Sequence, residues 1–339
     1  MRAARSDSRR LRGLDDRRRA GAVAACVLVL AGCGSAGVAD LPPPAEPARS
    51  PALERPPAGR VLAIGEKPEG VAADPRSGVV AVGVSDPAAL VLVEGRALRV
   101  RRRVPLPAAP RHLAAVGGRF LVPTERADRY VEVTPAGAVA ADVATGRHPH
   151  DVAAVGGRVF VSDERAASLS VIEDGRRTAV VDVATAPGGV SAAGDLVAVV
   201  SVRERVLELY DPHTLRRVAR APAGVGPTHV AAAGSWIYVV DTDGGALLVF
   251  RTAPELELVR RYPLPGSPYG IAFDPVRRRL WVTLTAANEL VELPAHGRPH
   301  APRRFATVRQ PNGVAIDSST GRVFVTGRAE GVLQAIDGR

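Results

Sequence analysis

The chain has 339 residues, 46% of them hydrophobic, and a formal net charge of +10. Its two cysteines, Cys26 and Cys33, both lie near the N-terminus, so the remainder offers no disulfide, thiolate nucleophile or cysteine metal site, and a thiol enzyme is excluded. Eight Arg against three Asp in residues 1–20 carry half of the net charge; the rest forms no basic run with interleaved aromatics, which argues against a nucleic-acid partner.

Behind that basic region, Ala20 to Ala31 is an apolar stretch too short to span a bilayer comfortably and of the length of a signal h-region. It ends in Leu30-Ala31-Gly32-Cys33, which resembles a bacterial lipobox. That resemblance implies a lipoprotein signal peptide over residues 1–32, lipidation of Cys33, and an extracytoplasmic, membrane-anchored protein. Ser8-Arg9-Arg10 is similar to a twin-arginine signal, but Arg12-Gly13 departs from the usual apolar continuation, and both export routes stay open. Residues 33–59 hold seven prolines and no apolar period, the composition of a semi-extended tether whose role is reach.

From residue 60 onward one phrase recurs: proline, two residues, then small apolar residues. It stands at Pro68, Pro110, Pro149, Pro187, Pro227, Pro268 and Pro311, at spacings of 42, 39, 38, 40, 41 and 43. A β-branched and aromatic run follows each phrase, as in Val159-Phe160-Val161, Ile237-Tyr238-Val239, Leu280-Trp281-Val282 and Val323-Phe324-Val325. The turn between them is either glycine-centred (Gly117-Gly118, Gly156-Gly157) or five residues long (Asp74–Gly78). The two lengths differ by two residues, so side chains keep their face. A third run and a more variable fourth complete four strands per repeat. Seven such repeats predict an all-β, seven-bladed β-propeller over residues 60–339. A β-helix would need a shorter period, and a sandwich would not repeat its phrase. The last repeat ends after its third strand, and Arg60–Ile64 stands spare before the first, so the N-terminal strand is expected to pair into the last blade and close the ring. The aromatic at one equivalent position per blade is expected to pack between blades.

The phrase V-F-V-S-D-E-R-A-A-S-L-S-V-I-E-D (159–174), with its P-x-G-V-A framing, resembles the YVTN-type, YncE-like propeller repeats of bacterial envelope proteins. This resemblance covers residues 60–339 and implies the fold; function it implies loosely, because such repeats serve dissimilar roles.

In a propeller, the residues one and two after each proline ring the funnel mouth. They are Glu69, Arg111, His112, His150, Asp151, Thr228, His229, Tyr269 and Asn312, with glycines elsewhere, and they form the candidate binding set. The turns between second and third strands add Glu125, Arg126, Asp163, Arg165, Arg203, Glu204, Asp241, Asp243 and Asn288. Three histidines in so small a set, with His148 before one of the prolines, could bind a divalent metal with Asp151 or act as acid and base. The bland alternative is that this position tolerates any polar residue beside solvent. Streptogramin-lyase-like and lactonase-type propellers also place such groups at the mouth, but the resemblance to them is weaker, and the lactonase metal set finds a match only at Glu69 and Asn312. No complete metal set and no catalytic residue is assigned. Asp241-Thr242-Asp243-Gly244-Gly245 begins like a calcium loop but lacks the downstream Glu, and is expected to be a turn. His213, His296 and His300 are expected in solvated outer loops. The expected function is a non-enzymatic binding or scaffold module of the cell envelope, monomeric, without a resident cofactor, whose partner is an envelope protein, a peptide or a glycan. The alternative is a lyase- or lactonase-type enzyme using His112, His150 and His229.

Overall fold

The computed structural model describes residues 41–295 and 302–338. The leader, the lipobox with Cys33, and His296 and His300 lie outside the described residues. Among these, twenty-eight strands form seven four-stranded antiparallel sheets, the blades of a seven-bladed β-propeller. The only other regular element described is a 3-10 turn, Glu125–Ala127. No helix among the described residues is long and apolar enough to cross a membrane.

Local chemistry builds each blade in the same way. In blades three to seven the anchor proline opens the innermost strand, as in Pro149–Val155 and Pro227–Ala233. The register slips just after that proline, between Pro149 and Val152, Pro227 and Val230, Pro268 and Ile271, and Pro311 and Val314. Such a bulge takes the intervening residues out of the ladder and re-aims their side chains. The following turn relies on positive φ, at Gly156 (+58°) and Gly157 (+80°) or at Gly78 (+66°).

Apolar surface is buried between blades. Val200, Leu207 and Leu209 of blade four pack with Ile237, Val239 and Leu248 of blade five. Phe160, Tyr238, Trp281 and Phe324 are all buried, the inter-blade role expected of them. The spare N-terminal strand Arg60–Ala63 pairs antiparallel with Val332–Ile336, Leu62 opposite Leu333, and so supplies the fourth strand of blade seven. Ile64, fully buried, joins Val80, Val82 and Val91 of blade one to Phe324 and Leu333 of blade seven. The first and last strands of the propeller therefore meet in one sheet and one core.

The segment expected to provide reach alone does more. Residues 41–55 lie on the propeller and bond to it along their length. Arg203 donates to the carbonyls of Leu41 (2.7 Å) and Pro42 (3.1 Å). The Ala48 amide donates to Ser267 Oγ (3.1 Å), and Ser50 exchanges bonds with Gln310 and Thr285. Asn288 reaches the Pro51 carbonyl (3.1 Å), and Arg55 pairs with Glu289 (2.7 Å). These partners belong to blades four, six and seven, so this strap crosses the mouth before running outward to the closing strand.

Candidate ligand and metal site at the funnel mouth

Two positions per blade deliver side chains to the mouth. One lies just after the proline, in the bulge of blades three to seven and in the loop before the first strand of blades one and two. The other is the residue just past the end of the second strand, fourteen or sixteen places later: Glu125, Glu164, Thr242, Thr285 and Arg328. A third position was not anticipated. The residue before the proline is left-handed in five blades, with φ of +47° at Lys67, +59° at His148 and +57° at Ala186, Ser267 and Gln310. That conformation is uncommon outside glycine and turns the side chain away from the strand. Three of these residues carry the mouth's contacts: His148 in a cluster of ionisable groups, Ser267 and Gln310 under the strap.

The expected residues separate into three groups. Glu69, Arg111, Tyr269 and Asn312 form a polar net. Asn312 donates to Glu69 Oε1 (3.1 Å), Arg111 Nε stands 3.5 Å from the same oxygen, Arg328 pairs with the other carboxylate oxygen, and Arg111 donates to the Tyr269 hydroxyl (3.5 Å). Burial works against the charge on Arg111, but Tyr269, Glu69 and Glu125 hold its pKa above the usual arginine range. Burial also pushes the Tyr269 hydroxyl up to about 12.

The second group is a row of rings. His112 lies 4.9 Å from His150 and 4.5 Å from His229 by ring centroids, and His229 stands edge-on to Tyr269 at 4.4 Å. His229 Nδ1 faces the Tyr269 carbonyl at 2.9 Å and must donate to it, because a carbonyl only accepts. Its Nε2 is then the acceptor, and His112 Nε2 donates to it at 3.0 Å. Both rings are neutral in this arrangement. Burial and the charge on His150 push His229 down to about 3, and burial with its two histidine neighbours holds His112 well below 6.5.

The third group is structural. Thr228 shares a hydrogen bond with Thr242 (2.8 Å), whose hydroxyl donates to the Pro268 carbonyl (2.7 Å). Asp151, grouped with the histidines in the sequence reading, turns away from them: its carboxylate accepts from the amides of Val152 (2.8 Å) and Val190 (2.9 Å) and ties blade three to blade four. Free exchange after the proline is not open to two of the glycines in this position. A Cβ on Gly313 would sit 2.2 Å from the Glu69 carbonyl oxygen, and one on Gly270 2.5 Å from that of Asn312. Glycine is required there because the next blade's backbone occupies the space.

Around His150 a tighter cluster forms that sequence reasoning saw only in pieces. Ligand atoms of Glu125, His148, His150 and Glu164 all lie within 4.8 Å of one another. His150 Nδ1 is 2.9 Å from Glu125 and 3.5 Å from Glu164; His148 Nδ1 is 2.9 Å from Glu164, and its Nε2 is 3.7 Å from Glu125. Glu125 Oε1 and both Nδ1 atoms are buried, and their partners are one another's charges across these ion pairs. Charge holds the group together. Burial disfavours a cationic His150, but the two carboxylates overcome it and raise its pKa to about 9. Burial opposes ionisation of Glu164 and Glu125 too, and the histidines still hold both below the usual carboxylate range. The sequence singles out Asp163 and Arg165 on this turn, not Glu164 between them. Asp163 points inward, accepting from Ser168 (3.1 Å) and Ser170 (2.7 Å). The signal that could have found Glu164 is its place fourteen residues after His150, matching Glu125 after Arg111.

Among the remaining expectations, Arg203 and Asn288 bind the strap, and Glu204 accepts from the Thr185 amide (2.6 Å). Asp241 organises a turn, its Oδ1 accepting from the Val225, Gly226 and Gly244 amides. His213 is exposed, as expected. Below the histidines runs a channel cavity of about 310 Å³, and a second cavity of about 490 Å³ opens between blades one and two beside Arg111 and Glu125.

No family model matches this chain, and no curated protein matches it in sequence. Solved structures do match in fold. A streptogramin B lyase superposes with a TM-score of 0.70 at 11% identity, covering 82% of this chain and 98% of its own. Hydrazine synthase of Kuenenia stuttgartiensis gives 0.70 at 14%, over 80% and 96%. A catalytically inactive histidine-to-alanine variant of virginiamycin B lyase from Staphylococcus aureus, with quinupristin, gives 0.68 at 12%, over 83% and 99%. At these identities the likeness is one of fold.

Proposed function

We propose that this chain is an exported, lipid-anchored propeller of the cell envelope that holds a divalent metal ion at Glu125, His148, His150 and Glu164 and binds an anionic or polar ligand beside it. The observation that carries the reading is the convergence of four mixed donors, two imidazoles and two carboxylates, whose ligand atoms lie within 4.8 Å of one another. Donors of a tetrahedral site with bonds of about 2.1 Å stand about 3.4 Å apart; with one ligand atom from each residue the four lie within 4.8 Å of one another, so an ion would draw them together. Two imidazoles with two carboxylates suit a first-row divalent ion such as zinc, cobalt or manganese. Arg111, held cationic, and the cavity beside it supply the place for an anionic group of the ligand. Lipidation at Cys33 and export rest on the sequence alone.

The test is cobalt titration of the purified mature chain, followed by visible absorption and equilibrium dialysis. One ion per chain is expected, and His148→Ala or Glu164→Gln should weaken binding at least tenfold. Because His150 keeps its proton up to about pH 9, binding should release a proton and tighten as pH rises toward that value. Absence of stoichiometric binding in the folded protein would sink the metal reading.

A second reading, a lyase-type enzyme, is favoured by one specific feature: neutral imidazoles at His112 and His229 beside the cationic His150 and Arg111. That arrangement supplies a proton acceptor and an acid in one place. Several of its fold neighbours are lyases, and one of them loses activity with a histidine. Conversion of quinupristin, followed by chromatography and abolished by His112→Ala, would support it; no conversion would remove this substrate class.

A further inference from the structure

The strap that crosses the mouth has the signature of a bound ligand. Over Leu41 to Arg49 its exposure repeats every third residue: Pro43, Glu46 and Arg49 face solvent, and the two residues before each are half-buried. Three residues per turn is the period of a polyproline II helix, the conformation that Pro42-Pro43-Pro44 and Pro47 favour. Such a helix makes no internal hydrogen bonds, so its backbone groups need outside partners. Here the propeller supplies them. Carbonyls of Leu41, Pro42, Ala48 and Pro51 accept from Arg203, Gln310 and Asn288, and amides of Ala48 and Ser50 donate to Ser267 and Gln310. Ser50 is buried, with its hydroxyl on the Thr285 carbonyl at 2.6 Å. Between these two sets of bonds, Pro44 to Glu46 lie over His150, His229 and Tyr269, leaving a cavity of only about 40 Å³, and Glu46 stands 3.6 Å from Arg111.

Rings beneath proline, donors aimed at backbone carbonyls and a cation beside an acidic side chain are the elements by which protein grooves recognise extended proline-rich peptides. We propose that the funnel mouth is a receptor for extended, proline-rich peptides with an acidic residue, and that residues 41–51 are its built-in occupant. The chain's own segment, held at high effective concentration, excludes a free peptide of the same kind. An outside ligand gains the histidine row only by displacing it. This inference deepens the function proposed above and rests on the mouth being the ligand site, but not on the metal.

The test uses the mature chain with residues 41–51 replaced by Gly and Ser at unchanged length, and a fluorescein-labelled peptide of sequence LPPPAEPARSP. The replaced chain should bind the peptide saturably by fluorescence anisotropy, and the unaltered chain at least tenfold more weakly. Adding Gln310→Ala to the replaced chain should cost a further tenfold. Lack of saturable binding to a replaced chain that retains its native circular dichroism would overturn the proposal, as would equal binding to both chains. If the replaced chain does not fold, amide exchange in the unaltered chain decides. The Ala48 and Ser50 amides should be protected and should lose that protection in Gln310→Ala, whereas exchange at the rate of an unfolded peptide refutes the docking. Cobalt binding is read separately on the same samples: peptide binding without cobalt binding would leave this inference standing while the metal reading fails, and the reverse result would do the opposite.

Discussion

At the scale of single residues, the mouth keeps protonation states that free side chains would not share. His150 is cationic because Glu125 and Glu164 flank it, while His112 and His229, a ring away, are neutral. The linkage has a definite sign. A folded-state pKa near 9 against about 6.5 in the unfolded chain adds stability that is complete below pH 6.5 and is lost as pH rises through 9. For this largely buried group the contribution is on the order of 3 kcal/mol. Urea midpoints of the metal-free protein should therefore fall between pH 6.5 and 9, and His150→Gln should flatten that fall; identical pH profiles for the two proteins would contradict the pairing. His229 works in the opposite sense. Its depressed pKa contributes stability present above pH 6.5 and lost as pH falls toward 3, so the two effects place an optimum near neutrality.

At the scale of the element, the bulge behind the proline of blades three to seven does two jobs. It lifts a side chain to the mouth, and it brings the strand against the next blade so closely that only glycine fits at Gly270 and Gly313. Gly313→Ala is expected to cost about 1–3 kcal/mol, because the clashing atom is a backbone carbonyl that cannot rotate away. Thermal melts would register this as a drop of several degrees with the strand content retained; an unchanged melting temperature would show that the blades can separate at no cost. His112 and His229, where the phrase carries histidine instead, are positions where the neighbouring backbone leaves room for a ring.

At the scale of the whole molecule, the ring has one seam, and the first and last strands of the propeller close it. Four residue pairs join Arg60–Ala63 to Val332–Ile336, and Ile64 seals the core behind them. Removing the Ile64 side chain leaves a cavity across the joint of blades one and seven, so Ile64→Ala is expected to cost about 2–5 kcal/mol. The loss should appear in equilibrium unfolding, and hydrogen exchange should accelerate first in Val332–Ile336. Faster exchange in a distant blade with the seam unchanged would place the weak point elsewhere. The strap leads straight into this seam, which joins occupation of the mouth to closure of the ring through one continuous stretch of chain.

Blade number, strand content, turn types and the closing strand were all legible in the amino-acid order. Each depends on local chemistry: proline and glycine setting φ, alternation setting the buried face, and a period near forty setting the repeat. The same logic singled out Glu69, Arg111, His112, His150, His229, Tyr269 and Asn312, which the fold brings together as neighbours. It could not tell that Asp151 would turn to the Val190 amide while Glu164, never singled out, would meet His150. Nor could it tell that the proline-rich segment would lie across the mouth. Those outcomes belong to the tertiary structure, because they depend on which blades stand side by side and how far each bulge swings its residues, distances that no interval along the chain encodes.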